Sequence, residues 1–260
     1  MNETVADHWR RTAADPDHVL LDGFHAVKHA LRFGAELGPV LAEDPAAVLA
    51  LADRLAPDTR PALEALLRPG DLAALLPRVH PTGIAALARR PAPAPADAPR
   101  RAPAIVLDHP RNLGNVGAVV RLAAGFGADA VVARGPLDPW HPNVVRAAAG
   151  LHWATEVRRL PAETPLDAAG DGAPALPAGP LYALDPEGAD IRSLTLPDDA
   201  VLAFGSERSG LTPELRARAD HLVALPMRPL VSSYNLATSV AMTLFHWGGP
   251  AAGAAGPHPS

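Results

Sequence analysis

Three stretches of this chain carry polar and conformationally permissive residues at the ends of apolar strands, and chemistry is expected there. The first, Leu107 to Asp129, leaves a strand at Asp108 and crosses a turn holding Asn112, Gly114, Asn115 and Gly117. It then enters a helix that carries Arg121. The second, Leu202 to Leu215, runs a buried strand into Gly205, Glu207, Arg208 and Gly210, before a helix opens with Thr212 as cap and Pro213 at its first position. The third, Leu225 to Trp247, is a loop bracketed by Pro226 and Pro229, with Met227 between them, Ser232 and Ser233 following, and a long apolar helix from Asn235. Such junctions present helix N-terminal N–H groups and glycine-bared backbone to polar or anionic ligands. Asn115 is expected to cap its helix. Arg121, among Val119, Val120, Leu122, Ala123 and Ala124, is expected to be partly buried and to need an anionic partner.

The elements that must position these residues alternate regularly. Strands are predicted at 104–107, 130–133, 155–159, 181–184, 201–204 and 221–225, and helices at 116–125, 143–149, 213–219 and 235–245. That rhythm implies an α/β domain with a mostly parallel sheet covered on both faces. Ahead of it lies a small α/β or α+β region, with strands at 18–21 and 84–87 and helices at 23–35, 45–55 and 61–67. The expected domains are 1–90, a stiff Pro/Ala-rich linker at 91–103, the regular domain at 104–248, and a disordered Gly/Ala/Pro tail at 249–260.

A chain of 260 residues can bury a real core without a staple. It contains no cysteine, which excludes disulfides, thiolate zinc sites and cysteine nucleophiles and suits a reducing cytoplasm. No apolar run approaches the roughly 18 residues of a membrane-spanning helix. The net charge of -5 argues against coating nucleic acid by bulk charge, while leaving room for a local basic patch. Lys28 is the only lysine, so almost every cation is an arginine, the side chain whose planar fork matches phosphate. His25 and His29 stand at metal-fork spacing, but no zinc motif surrounds them and no metal is expected. Gly114 and Gly117 lack the spacing of a dinucleotide-binding fingerprint, which weakens a dehydrogenase reading.

In this order, Asn115-x-Gly117-x-x-x-Arg121, Gly205-x-Glu207-x-x-Gly210-Leu211, and Pro226-Met227 followed by Ser233-Tyr234-Asn235 resemble the signature motifs of the SpoU/TrmH family, in the SPOUT superfamily. Members are S-adenosylmethionine-dependent RNA ribose 2′-O-methyltransferases. The chain departs from the pattern at Pro229, where the family usually has Gly, and at Tyr234, where it usually has Leu. The resemblance implies a C-terminal parallel sheet with a deep trefoil knot, preceded by a small substrate-binding domain, and a homodimer. It also implies an RNA substrate, rRNA before tRNA, and a cytoplasmic enzyme bound to neither membrane nor metal. Gly205, Leu225, Met227 and Tyr234 would surround the cofactor. Arg121, Asn115, Glu207 and Asn235 would be catalytic, the two asparagines orienting the ribose and fixing the loops. A guanidinium stays protonated, with a pKa above about 12, so the role expected of Arg121 is to grip phosphate and stabilise a developing alkoxide rather than take the proton. Glu207 is expected to pair with an arginine, Arg121 or Arg208. Lys28, Arg32, Arg89, Arg90, Arg100 and Arg101 are further candidates for phosphate contact. The alternative is an RNA-binding scaffold of the same fold without methyl transfer.

Overall fold

The computed structural model describes residues 5–92, 94, 99–166 and 175–248. The linker positions 93 and 95–98, the middle of the Pro/Gly/Ala-rich break at 167–174 and the tail at 249–260 lie outside the described residues. In chain order the elements are α1 (Val5–Ala13), β1 (His18–Asp22), α2 (Phe24–Arg32), β2 (Val40–Ala42), α3 (Pro45–Leu55), α4 (Arg60–Leu66), β3 (Leu67–Pro69) and β4 (Ile84–Arg89). They continue with β5 (Ala104–Asp108), α5 (Leu113–Phe126), β6 (Ala130–Arg134), α6 (Pro142–Ala147), β7 (Glu156–Leu160), β8 (Leu181–Asp190), β9 (Val201–Phe204), α7 (Pro213–Arg218), β10 (His221–Ala224) and α8 (Leu236–Trp247). Contacts divide the chain into two compact units, Met1–Ala92 with Trp140–Ala154, and Pro93–Pro139 with Thr155–Ser260.

The first unit is a mixed four-stranded sheet in the order β1-β4-β2-β3. Its helices start where the sequence marks them: Asp44 caps α3 by accepting from the Ala47 N–H, with Pro45 in the first turn. Two of the arginines expected to be free for phosphate are already engaged, one in each unit. Arg32 makes a two-point ion pair with Asp58 at 2.8 and 2.6 Å. Arg100, in the second unit, donates to the carbonyls of Ala178, Asp199 and Ala200.

The second unit is a six-stranded sheet in the order β10-β8-β9-β5-β6-β7, and every neighbouring pair is parallel. The central strands β5, β6 and β9 are buried along their whole length, which is why they read as unbroken apolar runs. From β5 the chain winds outward through β6 to β7, then returns to place β9 on the other side of β5. The order therefore reverses between β5 and β9, where a parallel sheet opens a crevice at its C-terminal edge. The first two junctions leave those two strands.

A buried ionic knot fastens this edge. Arg134, at the end of β6 and 2% exposed, donates to Asp108 at 3.0 Å, to Glu214 at 2.8 Å and to the Ala162 carbonyl at 2.9 Å. The other oxygen of Asp108 accepts from the Thr212 N–H at 2.7 Å, so one carboxylate joins the ends of β5 and β6 to the start of α7. Burial alone would push the Asp108 carboxyl up, but hydrogen bonds from Thr212, then from His109 and Arg134, hold it below the usual carboxylate range. Its folded-state pKa is thus lower than the unfolded value of about 3.9, so the stabilisation is complete above that pH and is lost as pH falls through the folded value. Asp108→Asn is expected to cost about 2 kcal/mol at pH 7 by removing the charge to which both the Arg134 guanidinium and the Thr212 N–H are bonded, with Glu214 left as the acid partner of Arg134. Urea unfolding should show that loss and a gap from wild type that closes in acid; equal midpoints at pH 7 would contradict this account.

Candidate active site

The three junctions meet at the side chain of Asn115. Its amide nitrogen donates to the Glu207 carboxylate at 2.7 Å, and its amide oxygen accepts from the Asn235 amide nitrogen at 3.2 Å. The Asn235 oxygen in turn accepts from the N–H groups of Ala237 and Thr238, capping α8. These contacts span 92 and 120 residues of sequence, so they follow from the fold and not from local chain geometry.

Each junction is also shaped from within. In the first, Asn112 and not Asn115 is the helix cap: it accepts from the Asn115 N–H at 3.0 Å, and α5 begins at Leu113. The expectation for Asn115 was three residues late, because two asparagines flank the same turn and the earlier one holds the extended backbone of a cap. In the second, Ser206 and Gly210 exchange backbone hydrogen bonds at 2.9 and 3.0 Å, folding the loop back on itself. A Cβ on Gly205 would lie 2.0 Å from the Gly210 carbonyl carbon, so only glycine fits there. In the third, the Tyr234 hydroxyl donates to the Pro226 carbonyl at 2.9 Å and clasps the loop across its mouth. Within it Val231 N–H donates to the Arg228 carbonyl, with Pro229 second and Leu230 third at φ 73°. A left-handed third residue after proline is the type II turn pattern, so the positive φ of this turn falls on Leu230.

Two expectations about charge do not survive. Glu207 makes no ion pair with an arginine among the described residues; its partner is Asn115. Arg121 is exposed and has no hydrogen-bond or ion-pair partner among the described residues. The reasoning from Val119, Val120 and Leu122 failed because adjacent residues point to different helix faces. The neighbours of Arg121 on the helix surface are those three and four residues away. These are Gly117, Ala118, Ala124 and Gly125, all too small to cover a guanidinium.

Of the residues expected around a cofactor, Gly205, Leu225 and Met227 are partly buried and Tyr234 is exposed, all on the second and third junctions. Thr212 caps α7 as expected, accepting from the Leu215 N–H, whereas sequence reasoning passed over Asn112 and Asp108 as structural anchors. Asp108 closes an apolar strand as a lone acid, which is a signal, but its partner Thr212 lies 104 residues away. His29, half of the possible metal fork, is engaged through its Nδ1 with the Ala149 carbonyl at 2.8 Å.

The model of the SpoU rRNA Methylase family matches residues 102–245. Among curated relatives, the 23S rRNA (guanosine(2553)-2′-O)-methyltransferase RlmP of Bacillus subtilis is 24% identical over 94% of this chain and 96% of its own length. The 23S rRNA (uridine(2479)-2′-O)-methyltransferase of Streptomyces viridochromogenes is 26% identical over 54% of this chain and 50% of its own. The chain spans about half, or less, of the length of the first curated relatives it matches. Two solved structures share the fold over nearly the whole chain. The SpoU methyltransferase AviRb of Streptomyces viridochromogenes, in complex with AdoMet, has a TM-score of 0.69 at 17% identity over 94% of this chain and 97% of its own. A protein of the TrmH family from Porphyromonas gingivalis has a TM-score of 0.71 at 20% identity over 95% of this chain and 98% of its own. The matched residues contain the first two junctions, the third as far as Phe245, and more than half of the sequence, and the chain belongs to the SpoU rRNA methylase family.

Proposed function

We propose that this protein transfers a methyl group from S-adenosylmethionine to a ribose 2′-hydroxyl in a structured RNA, rRNA before tRNA. The observation that carries this reading is the Asn115 side chain, which joins Glu207 of the second junction to Asn235 of the third at the reversal point of the sheet. The relatives named above are 2′-O-methyltransferases of 23S rRNA by their names, and AviRb was crystallised with AdoMet.

The residues present fit the cofactor. Gly205 leaves bare backbone beside Gly210 where any side chain would intrude. The loop clasped between Pro226 and Tyr234 carries Met227 and Tyr234, with Leu225 directly before it, so that their main-chain groups are available to a cofactor. When bound, S-adenosylmethionine supplies an electrophilic methyl on a sulfonium sulfur. The chain's own contribution is to hold the ribose oxygen in line with it, since positioning supplies much of the rate of such a displacement. Asn115 and Asn235 orient the loops that define that line. Arg121, exposed and uncommitted, grips the phosphate next to the target ribose and stabilises charge developing on the 2′-oxygen. The proton passes to phosphate or water. Glu207 holds the Asn115 amide in register.

Further features support the finer reading. The pairing of β10 with β8 jumps from Leu222↔Ala183 to Val223↔Ala189, and a Cβ on Gly188 would lie 2.3 Å from the Val223 nitrogen. Backbone so closely interleaved supports a trefoil knot in this unit. Leu230, Val231 and Phe245 leave apolar surface exposed on the third junction and α8, which supports a homodimer formed there. Residues 1–90 serve as the substrate-binding domain, 91–103 as the linker and 104–248 as the catalytic domain, save that Trp140–Ala154 belongs with the first compact unit. No described helix is long and apolar enough to cross a membrane, and the expected site of action is the cytoplasm.

Calorimetric titration tests the reading: S-adenosylmethionine is expected to bind wild type and to lose at least tenfold in affinity in Gly205→Ala. Heat with NADH instead would favour a dehydrogenase, and no heat with either would favour the scaffold. Arg121→Lys keeps the charge and loses the fork, so turnover on RNA should drop by about 100-fold, the scale of one transition-state hydrogen-bond donor. Cofactor affinity should stay unchanged. Near-normal turnover in that variant would refute bidentate positioning.

A further inference from the structure

Exposed arginines are ordinarily solvated and unremarked, but their pairing in the second unit is uneven. Of the arginines described there, five pair with carboxylates, and Arg100 and Arg159 donate to backbone carbonyls. Arg101, Arg111, Arg121, Arg208 and Arg228 have no side-chain partner among the described residues. Four of these five sit on the junctions. Arg111 directly precedes the Asn112 cap, Arg208 follows Glu207, and Arg228 follows Met227, so each junction places one free guanidinium beside its own motif in addition to Arg121.

The hydrogen bonds that tie the junctions together also gather these charges. Glu207, next to Arg208, is bonded to Asn115, and Arg228 lies inside the loop clasped by Tyr234 and Pro226. The acids on the same stretches are Asp108 and Glu214, both paired with Arg134, Glu207, committed to Asn115, and Asp129, which accepts from the N–H groups of Arg101 and Ala102. In a chain with net charge -5, acids are plentiful elsewhere, yet among the described residues none reaches these guanidinium groups. An edge with surplus, exposed, fork-shaped donors is built for phosphate.

We infer that Arg111, Arg208 and Arg228 bind backbone phosphates flanking the target nucleotide, so that the RNA strand crosses all three junctions and the second unit holds its substrate without relying on the first. This rests on the ribose-methylation reading and adds to it where the strand runs. It explains how a chain of negative overall charge engages RNA: the affinity comes from one edge, through release of counterions.

The test is the salt dependence of binding to a mixed-sequence single-stranded RNA, measured on the full chain. Each phosphate contact contributes about 0.7 to the slope of log affinity against log salt. Arg111→Ala, Arg208→Ala and Arg228→Ala should each reduce that slope by about 0.7, and the triple variant by about 2. Arg192→Ala, which removes a guanidinium already paired with Asp190, should leave it unchanged. Retained calorimetric binding of S-adenosylmethionine shows that each variant is folded, and the single variants give the same reading if the triple does not fold. A wild-type slope in the three single variants, or no RNA binding by wild type, overturns the inference. Absence of S-adenosylmethionine binding by wild type would instead overturn the ribose-methylation reading beneath it.

Discussion

A primary amide that must donate on one side and accept on the other fixes the geometry of this site. Glu207 only accepts, so the Asn115 nitrogen has to face it; the Asn115 oxygen is then left to accept from Asn235. The Asn235 oxygen is committed to the first N–H groups of α8, which leaves its nitrogen free to donate to Asn115. The polarity runs in one direction, from the positive end of a helix through two amides to a carboxylate. Flipping either amide would set donor against donor or acceptor against acceptor. Three segments far apart in sequence therefore have one compatible arrangement, and every functional residue is placed relative to it.

That arrangement stands on a stiffer base. Asp108 and Arg134 are buried under the same sheet edge, and the Thr212 N–H reaches Asp108 from the start of α7. The second junction is thus held twice, at its far end by Asp108 and near its tip by Asn115, with the Ser206–Gly210 fold-back between. Gly205 can occupy its position only because it lacks a side chain, and Leu230 adopts a left-handed backbone in a fully exposed turn. Such local costs are tolerated at loops that a rigid scaffold over-determines.

Much of this was legible in the chain itself. The parallel sheet showed in its apolar runs, and α3 and β9 fall on the residues expected because Asp44-Pro45 and the apolar run ending at Gly205 mark their limits. What escaped had weak local signals. Helix α1 spaces Val5, Trp9 and Ala13 four residues apart, but Trp9 is the one residue it buries and its first and last apolar positions are weak markers beside Asp7, Arg10 and Arg11. Strands β2 and β3 are three residues each, too short to display alternation, and β3 contains Pro69, tolerated because it lies at the sheet edge. Strand β8 runs on through Asp185, Pro186, Glu187 and Gly188, residues that read as a turn and instead form an irregularity in its pairing with β10. The motifs named three residues that the fold brings together, Asn115, Glu207 and Asn235, but Arg121's exposure depended on small helical neighbours, and Glu207's partner was an amide rather than a cation.

On the proposed reading, the amide chain, the uncovered guanidinium and the bare glycine backbone position a ribose oxygen against a bound methyl donor. The most direct measurement of that claim follows tritium from methyl-labelled S-adenosylmethionine into ribosomal RNA incubated with the protein, followed by digestion to nucleosides. The label is predicted in a 2′-O-methylnucleoside; label on a base, or none transferred to RNA, would contradict it.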